Sequence, residues 1–332
     1  QMSIWSGATV LITGGTGSFA NAFVRMLLNT EAPASVRLLS RSELRRSEMQ
    51  QQFTDGRLRW LTGDVADYER MLEAMDGVNI VVHAAASKRV EGSEQETAEA
   101  IKTNVGGSVN VVRAAVERRV ERVMGLSSDK ACGPVLAYGA MKLLMEKMFS
   151  APHGGSRTIF ACCRYGNVAA SAGSIIPKLL SERGRDVIEL RDARSSRFWM
   201  TLGEAARWIK RRIELMEPAS IYVPALPSVR LADLASAISP MSRIRWTGMS
   251  GMEKVHEAMI AWDESRYATR HADPLTLDFY RIGSQPTGGA EFEVRSDTNE
   301  TWLSVEDIRQ RLPQALRDAG YPEHSGLVME TA

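Results

Sequence analysis

The chain has 332 residues, 44% of them hydrophobic, enough for one large or two modest domains with a substantial core. Its 41 basic and 40 acidic residues are interspersed and leave a net charge of +1, which argues against a nucleic-acid-binding or membrane-binding surface. Cys132, Cys162 and Cys163 form neither a disulfide framework nor a metal spacing, no apolar run approaches the roughly 18 residues of a membrane span, and the N-terminus lacks the features of a signal peptide, so the expected compartment is a reducing cytoplasm.

In chain order, Ala8 to Thr13 is a short β-branched run of the kind that forms a buried parallel strand. It feeds Gly14-Gly15-Thr16-Gly17-Ser18-Phe19-Ala20 and then a helix from about Asn21 to Leu28. Glycines at a strand-to-helix turn let the backbone approach a pyrophosphate, whose charge meets the helix N-terminus. The second strand, Val36 to Leu39, runs into Ser40-Arg41-Ser42-Glu43, with Arg45 close behind. An acidic residue here meets a ribose 2′-hydroxyl and an arginine meets a 2′-phosphate, so Arg41 supported by Arg45 favours NADP over NAD. A third strand, Arg57 to Thr62, closes on Gly63-Asp64-Val65, where a carboxylate can meet an adenine edge. The fourth, Asn79 to His83, runs into Ala84-Ala85-Ala86, small residues against which a flat ring can lie. His83 itself reads as a packed core histidine.

An amphipathic segment, Thr97 to Asn110, contains Asn104 and precedes a helix from Val109 to Arg118. The fifth strand, Arg122 to Leu126, delivers Ser127-Ser128-Asp129-Lys130 at its C-terminal end, where a doubly wound sheet binds ligands. Tyr138 and Lys142 follow at a spacing of four, which places them on one helix face. An ammonium near a phenol favours the phenolate and suits the phenol to taking a proton from a carbinol as its hydride leaves. A sixth strand spans Thr158 to Cys163. This alternation predicts an α/β fold: a Rossmann-type doubly wound parallel sheet with a smaller C-terminal α/β substrate-binding part. The expected division assigns residues 1–170 to the dinucleotide domain, with returns from about 198–224, and residues 171–197 and 225–332 to the substrate part. Later elements are a strand at Ile221 to Pro224, a helix from Leu231 to Ile238 and another from Ser304 to Ala319. His153, His271 and His324 lack metal spacing, and His256-Glu257 lacks the second histidine of a zinc motif, so no metal is expected.

The chain resembles the extended short-chain dehydrogenase/reductases and, within them, the soluble inverting UDP-N-acetylglucosamine 4,6-dehydratases. The resemblance runs through Thr13 to Phe19, Ser40-Arg41, Gly63-Asp64-Val65, Ala85-Ala86-Ser87-Lys88, Ile101 to Val105, Ser127 to Ala131, Tyr138 to Lys142, Arg164 to Val168, Arg197 to Thr201, Val223-Pro224, and Glu253-Lys254 with His256-Glu257. It implies that Tyr138 deprotonates the sugar's 4-hydroxyl while hydride passes from C4 to NADP, with Lys142 lowering the phenol pKa and holding the nicotinamide ribose. Asp129 and Lys130, beside Ser128, would then eliminate water across C5 and C6, an order in which the resemblance makes Lys130 the C5 base and Asp129 the acid. Hydride returns to C6. Cofactor contacts are implied for Gly14, Thr16, Gly17, Ser18, Phe19, Ser40, Arg41, Arg45, Asp64, Val65, Ala84, Ala85, Ala86, Asn104, Tyr138 and Lys142, and substrate contacts for Lys88, Asn167, Ser174, Lys178, Arg197 and Glu253.

The departures fall on the substrate side. Ala172 and Ser250 stand where related sequences carry arginine, Ala225 replaces a lysine, and Lys88-Arg89-Val90-Glu91 departs from Lys-His/Gln-Val-Pro. A lost charge-assisted contact to a diphosphate is worth about 1.5–3 kcal/mol, so Arg197, Lys178 or Arg89 substitutes or the substrate differs. The alternatives are a nucleotide-sugar 5,6-dehydratase or 4-epimerase, and a non-catalytic NADP-binding regulatory protein. The expected partners are a nucleotide-sugar substrate and further copies of the chain, paired through the helices at Thr97 to Arg118 and Tyr138 to Ser150.

Overall fold

The computed structural model describes residues 3–87, 97–249 and 253–321. Lys88, Arg89, Ser250 and His324 lie outside the described residues. A nine-stranded sheet forms the centre, built from β1 (Thr9–Thr13), β2 (Ser35–Ser40), β3 (Leu58–Thr62), β4 (Ile80–His83), β5 (Arg122–Ser128), β6 (Ile159–Tyr165), β9 (Ser220–Pro224), β13 (Ala268–His271) and β14 (Phe279–Ile282). The order is β13-β14-β9-β6-β5-β4-β1-β2-β3; the run from β3 to β9 is parallel, while β14 and β13 add antiparallel. The order reverses between β1 and β4, which opens a crevice at their C-terminal ends.

β1, β4, β5 and β6 are nearly continuous apolar runs because helices cover both faces of the sheet. Leu11, Ile12, Val81, Val82, Val123 and Cys162 have no exposed surface. The first helix, Ser18–Thr30, begins three residues earlier than the apolar period suggested, since Gly17 already serves as its N-cap. The segment after β4 is one helical rod interrupted by a π turn: Thr97–Ile101, Lys102–Gly106 and Gly107–Glu117.

One expected boundary does not hold. The sheet is completed by residues 268–282, inside the stretch assigned to the substrate part. β14 pairs Phe279↔Pro224 through Ile282↔Ile221 and so covers the otherwise open edge of β9. A second apolar cluster, with Leu179, Ile188, Trp199, Leu234, Ile308 and Leu312, lies apart from the main core. It is framed by the small pairs β7 (Val187–Leu190) with β11 (Arg243–Trp246) and β8 (Ser196–Phe198) with β10 (Ser228–Arg230). A third pair joins β12 (Ala258–Ile260) to β15 (Val294–Arg295). Among the described residues, no helix is long and apolar enough to cross a membrane.

Candidate active site

A cleft of about 1590 Å³ runs from the first strand-to-helix turn to the second apolar cluster. Single small-molecule pockets measure about 300–1,000 Å³, so this one has room for two ligands side by side. At one end, Gly14 has φ +68°, and a Cβ there would lie 2.8 Å from the Ala85 nitrogen and 2.9 Å from the Ala84 carbonyl oxygen. Glycine is required on both counts. Thr16, Gly17 and Ser18 line the cleft at the helix N-terminus, where Gly17 supplies no capping side chain. The first-turn N–H groups are therefore available to an anion.

A buried chain of hydrogen bonds fixes the neighbouring loop. Ser108 has one hydroxyl proton, which it donates to the Asn104 carbonyl at 2.6 Å, so His83 Nε2 donates to Ser108 Oγ at 3.2 Å and Nδ1 accepts from Thr13 Oγ1 at 2.8 Å. Thr13 Oγ1 in turn accepts from the Ala85 N–H at 3.2 Å. Burial, with Lys142 nearby, drops the His83 pKa to about 3. The residue is a neutral strut. Asn104 accepts from the Ser87 N–H at 2.7 Å and donates to the Ser87 carbonyl at 3.0 Å, so it shapes this loop rather than reaching across it.

Other expected cofactor residues are placed differently. Asp64 receives the Arg41 guanidinium at 3.2 Å and the Ala66 N–H at 3.0 Å, so its carboxylate is engaged rather than presented to an adenine. Arg41 also lies 3.9 Å from Glu99; its side chain is half exposed and does not line the cleft, whereas Arg45 does. The Val65 side chain packs against Gly107 and its carbonyl accepts from Asn110 at 3.0 Å. The Phe19 ring stacks on Phe23 at 5.4 Å, facing the core.

At the other end, β5 runs into a 3₁₀ turn, Asp129–Ala131. Ser128 Oγ donates to Asp129 Oδ1 at 2.7 Å and accepts from the Lys130 N–H at 3.3 Å. Lys130 Nζ donates to Asp129 Oδ1 at 3.1 Å and to Glu257 Oε1 at 3.3 Å. Arg197 Nε stands 3.8 Å from Glu257, while the guanidinium donates to the carbonyls of Ser196, Val255 and Lys254. The helix Ala137–Ser150 seats its first turn on the 3₁₀ turn; a Cβ at Gly139 would collide with the Lys130 carbonyl. That contact sets Tyr138 beside Lys130 on the cleft wall.

The electrostatics correct two expectations. Burial lifts the Tyr138 pKa to about 12, and the positive charge that opposes this is Lys130, with Asp129 adding to the rise. Lys142, held near 8 by burial, donates instead to the Leu126 carbonyl at 2.7 Å. The Lys130 amine was expected to fall: burial does press it down, but Asp129 and Glu257 outweigh burial and hold it above its ordinary value. Burial and Asp129 raise Glu257, against Lys130, Arg197 and Lys254.

Asn167, Ser174, Lys178, Arg197 and Glu253 all line the cleft. Asn167 Oδ1, Ser174 Oγ, Asp129 Oδ2 and Glu257 Oε2 are buried without a hydrogen-bond partner, which suits a polar ligand. Glu253 pairs with Arg191 at 3.1 Å, and the Ala172 N–H donates to Ser18 Oγ at 3.4 Å, tying the segment after β6 to the glycine turn. Sequence reasoning missed Arg191 and, above all, Glu257. The His256-Glu257 pair enters the sequence reading as part of the resemblance and as an incomplete zinc motif, neither of which gives Glu257 a role; its place beside the Glu253-Lys254 stretch was the available signal.

A doubly wound sheet, a glycine turn shaped for a pyrophosphate and a Tyr-x-x-x-Lys helix beside it define an extended short-chain dehydrogenase/reductase. Within that class the chain belongs to the family described as polysaccharide biosynthesis protein, whose model matches residues 10–278. One relative is the inverting UDP-N-acetylglucosamine 4,6-dehydratase of Campylobacter jejuni subsp. jejuni serotype O:23/36 (strain 81-176), 39% identical over 325 residues, 92% of this chain and 97% of that one. A UDP-glucose 4-epimerase of Rickettsia rickettsii (strain Sheila Smith) is 35% identical over 82% of each chain. The X-ray structure of Pen from Bacillus thuringiensis superposes with a TM-score of 0.86 at 30% identity, covering 94% of this chain and 98% of that one.

Proposed function

We propose that the protein is an NADP-dependent nucleotide-sugar 4,6-dehydratase acting on UDP-N-acetylglucosamine or a close relative. The observation that carries the reading is the Asp129–Lys130–Glu257 charge cluster set beside Tyr138 in one cleft. A C4 oxidation needs only the tyrosine; an elimination also needs an acid and a base close together. The identity to the Campylobacter dehydratase over nearly the full length supports the same reading.

The residues around the glycine turn fit a dinucleotide, and the bound nicotinamide would supply the hydride acceptor at C4 and donor at C6. Tyr138 takes the 4-hydroxyl proton. Burial holds its phenol pKa at about 12, and Lys130 is the positive charge that opposes this rise and stabilises the phenolate as it forms. The C4 ketone acidifies the C5 hydrogen, which Lys130 removes once its own proton has gone, and Asp129 protonates the departing 6-hydroxyl. Ser128 holds Asp129 through the 2.7 Å hydrogen bond. Asn167, Ser174, Lys178 and Arg197 face the sugar and diphosphate. Arg45 on the cleft wall and a reorienting Arg41 favour a 2′-phosphate, hence NADP; the comparison of NADP and NAD dissociation constants tests this.

Incubation with UDP-N-acetylglucosamine in heavy water, followed by NMR and mass spectrometry, tests the whole scheme. A 4-keto-6-deoxy product with deuterium at C5 supports it, and its coupling constants separate inversion of C5 from retention. A sugar altered only at C4 overturns it, and an unchanged sugar overturns UDP-N-acetylglucosamine as the substrate and moves the same test to other nucleotide sugars. The 35% identity to a UDP-glucose 4-epimerase gives the second reading, in which Asp129→Asn retains full activity. Exposed Ile101, Val109 and Leu144 on the helices after β4 and after the catalytic turn support a homo-oligomer, which light scattering measures.

A further inference from the structure

We propose that Glu257 is the proton acceptor that turns the Lys130 ammonium into a neutral amine able to take a proton from carbon. The inference rests on the dehydratase reading above. An ammonium cannot be a base, and the structure holds Lys130 as an ammonium, between two carboxylates. Of these, Asp129 Oδ1 already accepts two hydrogen bonds, from Ser128 and from Lys130, whereas Glu257 Oε1 accepts only that of Lys130, at 3.3 Å. Glu257 Oε2 is buried with no partner at all.

The carboxylate is also well fixed. Its side chain is 5% exposed, and its backbone N–H donates to Ser296 Oγ at 2.9 Å, which is in contact with Ser196 Oγ at 2.8 Å. The charged groups that face it are Asp129 and Lys130 from the 3₁₀ turn, Arg197 from β8 and Lys254 from its own segment. Tyr138 shares the cleft wall with Lys130, and His256 turns away to Ser196 at 2.8 Å and Asp297 at 3.9 Å. Burial beside Asp129 favours the neutral form of Glu257, so a proton leaving Lys130 finds a receptive oxygen within hydrogen-bond distance.

The step balances. A proton passes from Lys130 Nζ to Glu257, and the freed lone pair bonds the C5 hydrogen as C5–H breaks. The C–H electrons pass into the C4 carbonyl as an enolate, and Lys130 Nζ hands the proton it has taken to Asp129 Oδ1, 3.1 Å away. As the enolate re-forms the ketone, the C5–C6 double bond forms, C6–O breaks, and the departing oxygen takes the Asp129 proton and leaves as water. Glu257 then returns its proton to Lys130, which restores the starting arrangement. Glu257 acts through Lys130 and is a positioning residue for its proton.

The test follows C5 exchange with solvent deuterium, on UDP-N-acetylglucosamine, as a function of pH for the parent, Glu257→Gln and Glu257→Asp proteins. Reduced-nicotinamide absorbance in a single turnover reads C4 oxidation in parallel. With Glu257→Gln, exchange at neutral pH should fall about 100-fold, well beyond any fall in C4 oxidation. It should then climb about tenfold per pH unit, because Lys130 must lose its proton to solvent. Glu257→Asp should recover most of the exchange. Equal loss of both half-reactions with parallel pH profiles would make Glu257 a structural support and overturn the proposal, as would unchanged exchange. Nitrogen NMR of labelled lysine in the sugar-free protein gives a second readout: Lys130 should titrate lower in Glu257→Gln than in the parent. If the parent exchanges no C5 hydrogen although that titration shifts, the dehydratase reading fails and takes the catalytic role with it; an unshifted titration with parental exchange intact sinks the proposal alone.

Discussion

The two ends of the cleft are made in different ways. The nucleotide end is shaped by backbone: Gly14 pressed on Ala84 and Ala85, a bare helix N-terminus, and neutral struts from His83 and Asn104. The sugar end is shaped by charge, with Lys130 between Asp129 and Glu257 and Arg197 behind them. A backbone-shaped site tolerates little change in form but keeps its character over a wide pH range. A charge-shaped site depends on every partner at once, since removing one leaves the others buried and uncompensated.

The largest expected effect lies at the charged end. Lys130→Met should lower C5 exchange by about 10³-fold, within the range for a lost general base, and leave C4 oxidation the less affected step. Equal loss of both steps, read by deuterium incorporation and nicotinamide absorbance, would erase the division of labour between Tyr138 and Lys130. Next comes a buried ion-pair network behind the charged end. Arg164 on β6 is fully buried and forks onto Glu146 at 2.6 and 2.9 Å and Glu264 at 2.7 and 2.8 Å, so it ties the catalytic helix to the segment after β12. Arg164→Met strands two carboxylates and should cost about 3–5 kcal/mol in urea unfolding. A loss below 1 kcal/mol would mean the helix and that segment pack without the tie.

The nucleotide end has one acid-sensitive point. His83 titrates near 3 when folded and about 6.5 when unfolded, so the unfolded chain binds the proton first. Stability from the neutral ring is complete above the unfolded value and drains away as pH falls toward 3, by about 1.4 kcal/mol per unit. The slope of unfolding free energy between pH 6 and pH 4 should flatten by about that amount in His83→Gln. The smallest effect is at the rim, where Arg41→Ala breaks only exposed pairs with Asp64 and Glu99 and should change stability by about 0–1 kcal/mol. Its mark should be on the NADP-to-NAD affinity ratio, and an unchanged ratio would shift that role to Arg45.

The same contrast explains what could be read from sequence. The glycine turn, the parallel strands and the Tyr138–Lys142 helix were legible because each is local: a run of residues, a period or a spacing of four. Asp129 and Lys130 were legible as neighbours, but not their electrostatic state. That state depends on Glu257, 127 residues along the chain from Lys130. Lys142 illustrates the converse error, since sharing a helix face with Tyr138 did not fix where its amine would point. The return of residues 268–282 to the sheet was hidden for the same reason: an open strand edge is a property of the assembled sheet and has no signature in the segment that covers it.

The π turn at Lys102–Gly106 carries a consequence of another kind. One additional residue in a helical rod shifts the phase of everything after it by about 100°, the angle per residue of a helix with 3.6 residues per turn. Asn104 sits on that turn, facing Ser87, while Gly107 and Ser108 beyond it face Val65 and His83. The two sets of contacts belong to two different helical phases, so no choice of side chains on an unbroken α-helix of the same axis would satisfy both. Chain length is here an element of the binding site, and shortening this rod by one residue would misalign the loop after β4 more surely than any single substitution in it.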